Sequence, residues 1–344
     1  MVIMMKKTDR LKKINSISDI KNKRVLYIAT KNSDYLRLTQ ELRILRENGC
    51  EVTEIVSPSK SYPKRLIYVF RKLICIRMKD YDMSFVGFAP QLVMPVFGRK
   101  LRKKPVIEDF FISMYDTLCC DRKKFRPRSL IGRLLHRIDT KTLAMADKVV
   151  CDTNAHGEFF CREFDCPRSK MTTLYLEADS DIYYPREAAE NKEFTVLYFG
   201  SVLPLQGVSV ILDAIDLLKD EQGIRFVFVG PLGKDNVRKG ENITEYIQWL
   251  PQDQLAEKIA QADLCLAGHF SSDIMKAKRT IPGKAYIYRA MNKPMILGDN
   301  NATHELYNED QDGIYFVEMG NPRALAELIL HIRDQKEEKH EKNR

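Results

Sequence analysis

Short β-rich apolar runs alternate with helix-length segments along nearly the whole chain, and this alternation restricts the fold more than any other feature. RVLYIAT (24–30) reads as a strand. Behind it, Leu36, Leu38, Leu42, Ile44 and Leu45 recur at helical spacing across 34–47, and Asn48-Gly49 supplies a stop. EVTEIV (51–56), DMSFVGF (82–88), PVIED (105–109) and KVVCDT (148–153) are further strands, with helix-length segments between them. Such repetition predicts βαβ units on a parallel sheet.

The pattern restarts after the polar stretch 177–193. FTVLYFG (194–200), IRFVFVG (224–230), ADLCLAG (262–268), KPMILGD (293–299) and GIYFVE (313–318) read as strands, with helices over 207–220 and 322–335. The chain is 344 residues long, enough for two domains with full cores. The expected architecture is therefore α/β, with two doubly wound, Rossmann-like domains over 1–185 and 186–335 and a charged tail over 336–344. Ligands of such folds sit at the carboxyl ends of the strands, here in a cleft between the two domains.

Composition narrows the class. Hydrophobic content of 44% with 30% charged residues is that of a soluble globular protein. No apolar run approaches the roughly 20 residues a bilayer span requires, and MVIMMKKTDR has too short an apolar stretch for a secretory signal. The eight cysteines include no CxxC pair. They are expected to be reduced thiols in a cytoplasmic protein, and no metal site is expected from them.

Charge is one-sided. Residues 1–190 hold 37 Lys and Arg against 24 Asp and Glu, a net of +13, which leaves −4 of the whole-chain +9 for 191–344. No recognition motif or stacking platform accompanies it, so nucleic acid is not an expected partner. An anionic surface facing the first half is. Two segments carry that charge. KSYPKRLIYVFRKLICIRMKD (60–80) interleaves Lys64, Arg65, Arg71, Lys72, Arg77 and Lys79 with Ile67, Phe70, Leu73 and Ile74, and RKKFRPR (122–128) adds a second cluster. An amphipathic helix of the first kind fits shallow docking on anionic lipid, or it buries its stripe on its own sheet.

Two segments of the second half are suited to an anionic ligand. In LYFGSVLPLQGVSVILDAI (197–215) a strand ends at Gly200-Ser201 and Gly207 opens a helix, a turn that aims backbone N–H groups at a phosphate. In KAKRTIPGKAYIYRAMNKP (276–294), Lys276, Lys278, Arg279 and Lys284 crowd around one Pro-Gly step. Arginine forks and lysine point charges both suit a diphosphate, and Pro282 at a helix start would aim Lys284 at the cleft. A solvated loop is the alternative.

FGSVLPLQGVSVILDAIDLL, IQWLPQDQLAEKIAQADLCLAG, KAKRTIPGKAYIYRAMNKPMILGD and GIYFVEMGNPRALAELI follow one another in an order that resembles the C-terminal half of family 4 (group 1) glycosyltransferases. PVIEDFFISMYDTLCCDR and ADKVVCDTNAHGEFFCREF are similar to the N-terminal half, and the likeness covers roughly 24–335, in the branch that builds bacterial surface polysaccharides. The resemblance implies a GT-B fold whose second domain holds a nucleotide-diphosphate sugar and whose first presents the acceptor. It implies Gly200, Ser201, Gln206, Gly207, Lys276, Lys278, Arg279 and Lys284 at the donor diphosphate. Asp109, Arg279 and Lys284 become the expected catalytic residues, and Asp109, Asp116, Asp152 and His156 the expected acceptor site. It further implies retention of anomeric configuration, no metal and no cofactor beyond the UDP or GDP sugar. The acceptor would be a lipid-linked saccharide, placing the protein peripherally at the inner face of the cell membrane.

Two positions depart from the family pattern. Gln206 stands where many relatives have lysine, and Ile287 where many carry the glutamate that grips the ribose. Glu305, in GDNNATHELY, is the candidate substitute, and Trp249 and Leu250 are further candidates for ribose and base. The alternative reading that these departures raise is an inactive GT-B subunit that scaffolds or regulates another transferase.

Overall fold

The computed structural model describes residues 16–188, 191–233, 240 and 242–342. The chain divides into two compact units, Met1–Glu177 and Ala178–Arg344. Each is built on one six-stranded sheet, parallel at every pairing.

In the first unit the strands are β1 (Arg24–Ile28), β2 (Glu51–Ile55), β3 (Met83–Val86), β4 (Val106–Asp109), β5 (Lys148–Cys151) and β6 (Met171–Thr173), in the order β2-β1-β3-β4-β5-β6. The α-helices are α1 (Leu36–Glu47), α2 (Tyr62–Cys75), α3 (Met94–Leu101), α4 (Leu130–Met145) and α5 (Asn154–Phe164). Strands β3, β4 and β5 are buried at every residue, as sheet strands covered on both faces must be. Residue parity divides the core. Val25 and Tyr27 face α1 through Leu38, Leu42 and Leu45. Leu26 and Ile28 face α2 and α3 through Val69, Leu73, Met94 and Leu101.

The second unit has β7 (Phe194–Phe199), β8 (Ile224–Val229), β9 (Thr244–Ile247), β10 (Leu264–Gly268), β11 (Met295–Gly298) and β12 (Ile314–Val317), in the order β12-β11-β10-β7-β8-β9. Its α-helices are α6 (Val208–Leu217), α7 (Gln252–Gln261), α8 (Gly283–Ala290) and α9 (Pro322–Lys342). Ile211, Leu212, Ile215, Leu325 and Ile329 of α6 and α9 pack together on Val196, Phe226, Leu264 and Ile296. The charged residues after 335 continue α9 to Lys342. The sheet grows outward in one direction from β7 through α6 to β8, and in the other from β10 through α8 to β11. Between the carboxyl ends of β7 and β10 lies the switch point where doubly wound sheets bind ligands.

The two doubly wound sheets match the expectation from the alternation, with β6 and β9 as added edge strands that the sequence pattern did not reveal. All eight cysteines are free thiols. Among the described residues, no helix is long and apolar enough to cross a membrane.

Candidate functional site

The β7/β10 switch point is assembled by close backbone approaches. Gly200, just past β7, has φ +147°, a value that residues with a side chain rarely adopt. A Cβ there would stand 3.2 Å from Lys284 Cε and 3.4 Å from its Nζ. Glycine thus leaves room for the lysine to lie across the turn. Gly207, with φ +65°, opens α6, and a Cβ on it would fall 2.5 Å from the backbone of Phe270 and Ser271. The loop after β10 is therefore seated on the loop after β7, and Phe270 N donates to Gln206 O at 3.1 Å. The positive end of α6 faces the same corner.

Lys284 lies in the first turn of α8 and is 5% exposed. Its ammonium donates to Gln206 Oε1 and stands 4.6 Å from the Tyr198 ring centroid. Among the described residues no carboxylate is paired with it. Burial alone draws its pKa down from 10.5 to about 7. The buried His269 next to this corner is held neutral, its pKa drawn down to about 3 by burial first and by the Lys284 charge second. Thr280 links the neighbouring cation-rich turn to it, donating to Lys276 O at 3.1 Å with Oγ1 3.4 Å from His269 Nδ1. That turn, Met275–Lys278, with Arg279 after it, holds Lys276, Lys278 and Arg279 half-buried.

Of the residues expected at the diphosphate, Gly200, Gln206, Gly207 and Lys284 are thus joined in one cluster. Ser201 is exposed at its mouth, with its carbonyl accepting from Tyr198 Oη at 3.4 Å. The ribose and base candidates are not brought together. Glu305 ends a short turn, Thr303–Glu305, after β11, while Trp249 and Leu250 follow the opposite edge strand β9, with Trp249 74% exposed. β11 and β9 are four strand spacings apart, about 19 Å. One ribose cannot be gripped from both flanks. Ile287 lies three residues after Lys284 on α8 and so shares its helix face.

In the first unit, Asp109, expected at the acceptor, is enclosed by its neighbours. It is fully buried, and Arg37 holds both its oxygens, Nη2 at 2.8 Å and Nε at 3.3 Å. Arg37 also donates to the carbonyls of Leu174 and Cys151. A carboxylate enclosed in this way is a counterion that fixes Arg37 between α1 and the strand ends. Glu41, one turn along α1, stands 3.5 Å from Arg37 Nε and accepts from Tyr27 Oη at 2.5 Å. Burial and the nearby Asp109 push its carboxyl pKa well up.

Asp116 is also buried, in the turn Asp116–Asp121, with its amide donating to Ser113 Oγ at 2.9 Å. Asp152 and His156 form a pair at the carboxyl end of β5, Oδ1 to Nδ1 at 2.7 Å. Asp152 keeps 23% of its side chain exposed. His156 is enclosed against Phe160, ring centroids 4.2 Å apart, and its Nε2 has no hydrogen-bond partner. Of the four acceptor candidates this pair alone reaches the surface. Sequence reasoning missed Arg37 and His269. Both had a signal: Arg37 is a cation on the apolar stripe of α1, four residues before Glu41, and His269 follows directly on an apolar strand.

Two six-stranded parallel, Rossmann-like sheets with flanking helices define a GT-B fold. Residues 193–335 match the model of the family described as glycosyl transferases group 1. The chain is 29% identical over 223 residues to a probable glycosyltransferase, WbjE, of Pseudomonas aeruginosa, covering 59% of this chain and 54% of that protein. It thus spans about half the length of this curated relative. Among solved structures it resembles sucrose-phosphate synthase from Thermosynechococcus elongatus, with a TM-score of 0.65, 11% identity and 90% of each chain covered. It also resembles Anabaena HepE in complex with UDP and glucose, with a TM-score of 0.58, 14% identity and 89% of each chain covered.

Proposed function

We propose that the chain is a glycosyltransferase that moves a sugar from a UDP or GDP sugar to a lipid-linked saccharide, with retention of configuration and without a metal ion. Its place is peripheral, at the inner face of a bacterial cell membrane, in the building of a surface polysaccharide. The observation that carries the reading is Lys284, a buried ammonium over a glycine turn with no carboxylate paired to it among the described residues. A buried cation without an anion is costly, and a diphosphate is the anion that this corner fits. UDP and glucose in the HepE complex support that ligand class.

The chemistry follows from charge. As the glycosidic bond to the nucleotide breaks, the sugar turns oxocarbenium-like and negative charge grows on the departing diphosphate. Lys284, the Lys276–Arg279 cations and the start of α6 meet that charge where it develops, in a site already organised for it. In this reading they do the neutralising, and departure on the face that the acceptor enters accounts for retention without a protein nucleophile. Asp152 with His156 is the pair placed to orient the acceptor hydroxyl.

Unfolding followed against a panel of UDP, GDP and their sugars tests the donor site. A ligand at 100 times its Kd stabilises by about 2.7 kcal/mol, and the absence of stabilisation by every member of the panel refutes the reading. A second reading, an inactive subunit that scaffolds another transferase, is favoured by one observation, the apolar Ile287 on the Lys284 face of α8. Turnover of a lipid-linked acceptor by the purified chain, abolished in Arg279→Ala, excludes it.

A further inference from the structure

Helices α2, α3 and α4 lie in one layer on the first unit's sheet. Val69, Leu73, Met94, Leu101 and Met145 share a single core cluster there. On α2 the expected apolar stripe is split. Leu73 faces the core, while Ile67 and Ile74 stand exposed among Lys64, Arg71 and Lys72. The first turns of α4 carry a denser version of the same arrangement. Leu130 is 81% exposed, Leu134 56% and Ile131 46%. Residues 122–138 surround them with seven Lys and Arg and no Asp or Glu.

The local fold explains the arrangement. Ser129 caps α4, its Oγ accepting from Gly132 N at 3.1 Å. The carbonyls of Arg126 and Pro127 press so close on Gly132 that a side chain there has no room. The incoming basic strand is thereby folded back against the first turn, beside Leu130. Arg128, just before the helix, and Arg133, Arg137 and Lys141 along it line a groove of about 740 Å³. Its one acid, Glu163, is engaged by His136 Nε2 at 3.4 Å.

We propose that this end of α4 is a bilayer-docking wedge. Leu130, Ile131 and Leu134 enter the acyl boundary of an anionic membrane, and lipid phosphates are taken up by the arginines of the groove behind them. Charge complementarity selects the occupant. Seven cations with Glu163 as the one acid lining their groove call for a densely anionic surface. Three protruding aliphatic side chains among them have no counterpart on a nucleic-acid backbone, whereas the headgroup–acyl boundary satisfies both. The proposal deepens the reading of a lipid-linked acceptor and rests on it for its purpose, but vesicle binding itself requires neither donor nor acceptor.

Co-sedimentation of the full chain with vesicles of phosphatidylglycerol and phosphatidylcholine, against phosphatidylcholine alone, tests it. The wild type is expected to partition to the mixed vesicles and not to the neutral ones. Leu130→Ser/Leu134→Ser and Arg133→Ala/Arg137→Ala are each expected to weaken partition at least tenfold, since a basic residue near an anionic surface contributes about fivefold. Both should leave the melting temperature unchanged and, for the serine pair, turnover of a lipid-free acceptor as well. Equal binding to both vesicle types, or loss only in Ile67→Ser/Ile74→Ser on α2, overturns the assignment to α4. Wild-type partition that half-molar salt abolishes, with the serine pair bound as well as wild type, also overturns it, because the wedge then contributes nothing. A donor site that fails every nucleotide while the vesicles are still bound fails the transferase reading alone.

Discussion

Lys284→Met should make the ligand-free protein more stable while removing its nucleotide site. In the folded chain burial lowers the lysine pKa from 10.5 to about 7, so the native state holds this proton less tightly than the unfolded chain does. The sign follows from proton binding. The cost of burying the ammonium is fully present below about pH 7 and declines as pH rises toward 10.5. At about 1.4 kcal/mol per pH unit, that interval corresponds to about 5 kcal/mol. Against it stand the interactions that methionine forfeits. These are the ammonium over the Tyr198 ring, about 2 kcal/mol when desolvated, and the hydrogen bond to Gln206, about 1.5 kcal/mol for a charged donor. Desolvation wins by about 1–2 kcal/mol. Urea unfolding followed by circular dichroism at pH 6, 7 and 9.5 measures this balance. The variant should be the more stable at pH 6 and 7, the two should match near pH 8, and by pH 9.5 the wild type should lead by about 2 kcal/mol. The nucleotide that stabilises the wild type should do nothing for the variant. A variant less stable at pH 6 by a margin that pH does not change would refute the picture of an unpaired buried cation.

Three further outcomes are expected. Glu108 is fully buried and neither carboxyl oxygen has a hydrogen-bond partner; burial pushes its pKa well up, with Lys170 opposing. Stability should therefore fall as pH rises above the unfolded value of 4.5, and Glu108→Gln should open a lead growing by about 1.4 kcal/mol per pH unit, read by urea midpoints at pH 5, 6 and 7. Asp109→Asn leaves the buried Arg37 without its anion and should cost about 3 kcal/mol, the low end for a broken buried pair because Glu41 can ionise in its place. The pH profile of turnover measured below the melting temperature should stay unchanged, whereas a profile that loses a limb would return Asp109 to the chemistry. Ile287→Glu adds a carboxylate one turn from Lys284 and should tighten nucleotide binding about tenfold in calorimetric titration, the scale of one good charge-assisted hydrogen bond; weaker binding would show that the ribose lies elsewhere.

The arrangement of the sheets was legible before the structure because burial on both faces writes itself as runs such as RVLYI and FTVLYF, and each run needs a crossover helix. The edge strands MTT (171–173) and TEYI (244–247) were not legible. They are short, and an edge strand paired on one side only has no need to be continuously apolar. The residues of the candidate corner were partly legible, since glycine suits the positive φ at Gly200 and Gly207 and the cations cluster in sequence before α8. That Lys284 lies over Gly200, with Gln206 as its hydrogen-bond acceptor among the described residues, was decided by the seating of the β10 loop on the β7 loop, far apart in the chain.

Asp109 gives the converse lesson. Its place at a strand end was correctly read, but a strand end is exposed or enclosed according to what packs on it. Arg37, 72 residues earlier, encloses it. The sequence by itself determined most of the strands and helices and where anion-binding residue types accumulate, because these depend on local periodicity and composition. Tertiary structure decided which of the charged residues are paired, which are buried alone and which stand on the surface, because each of those is a relation between side chains far apart in the chain.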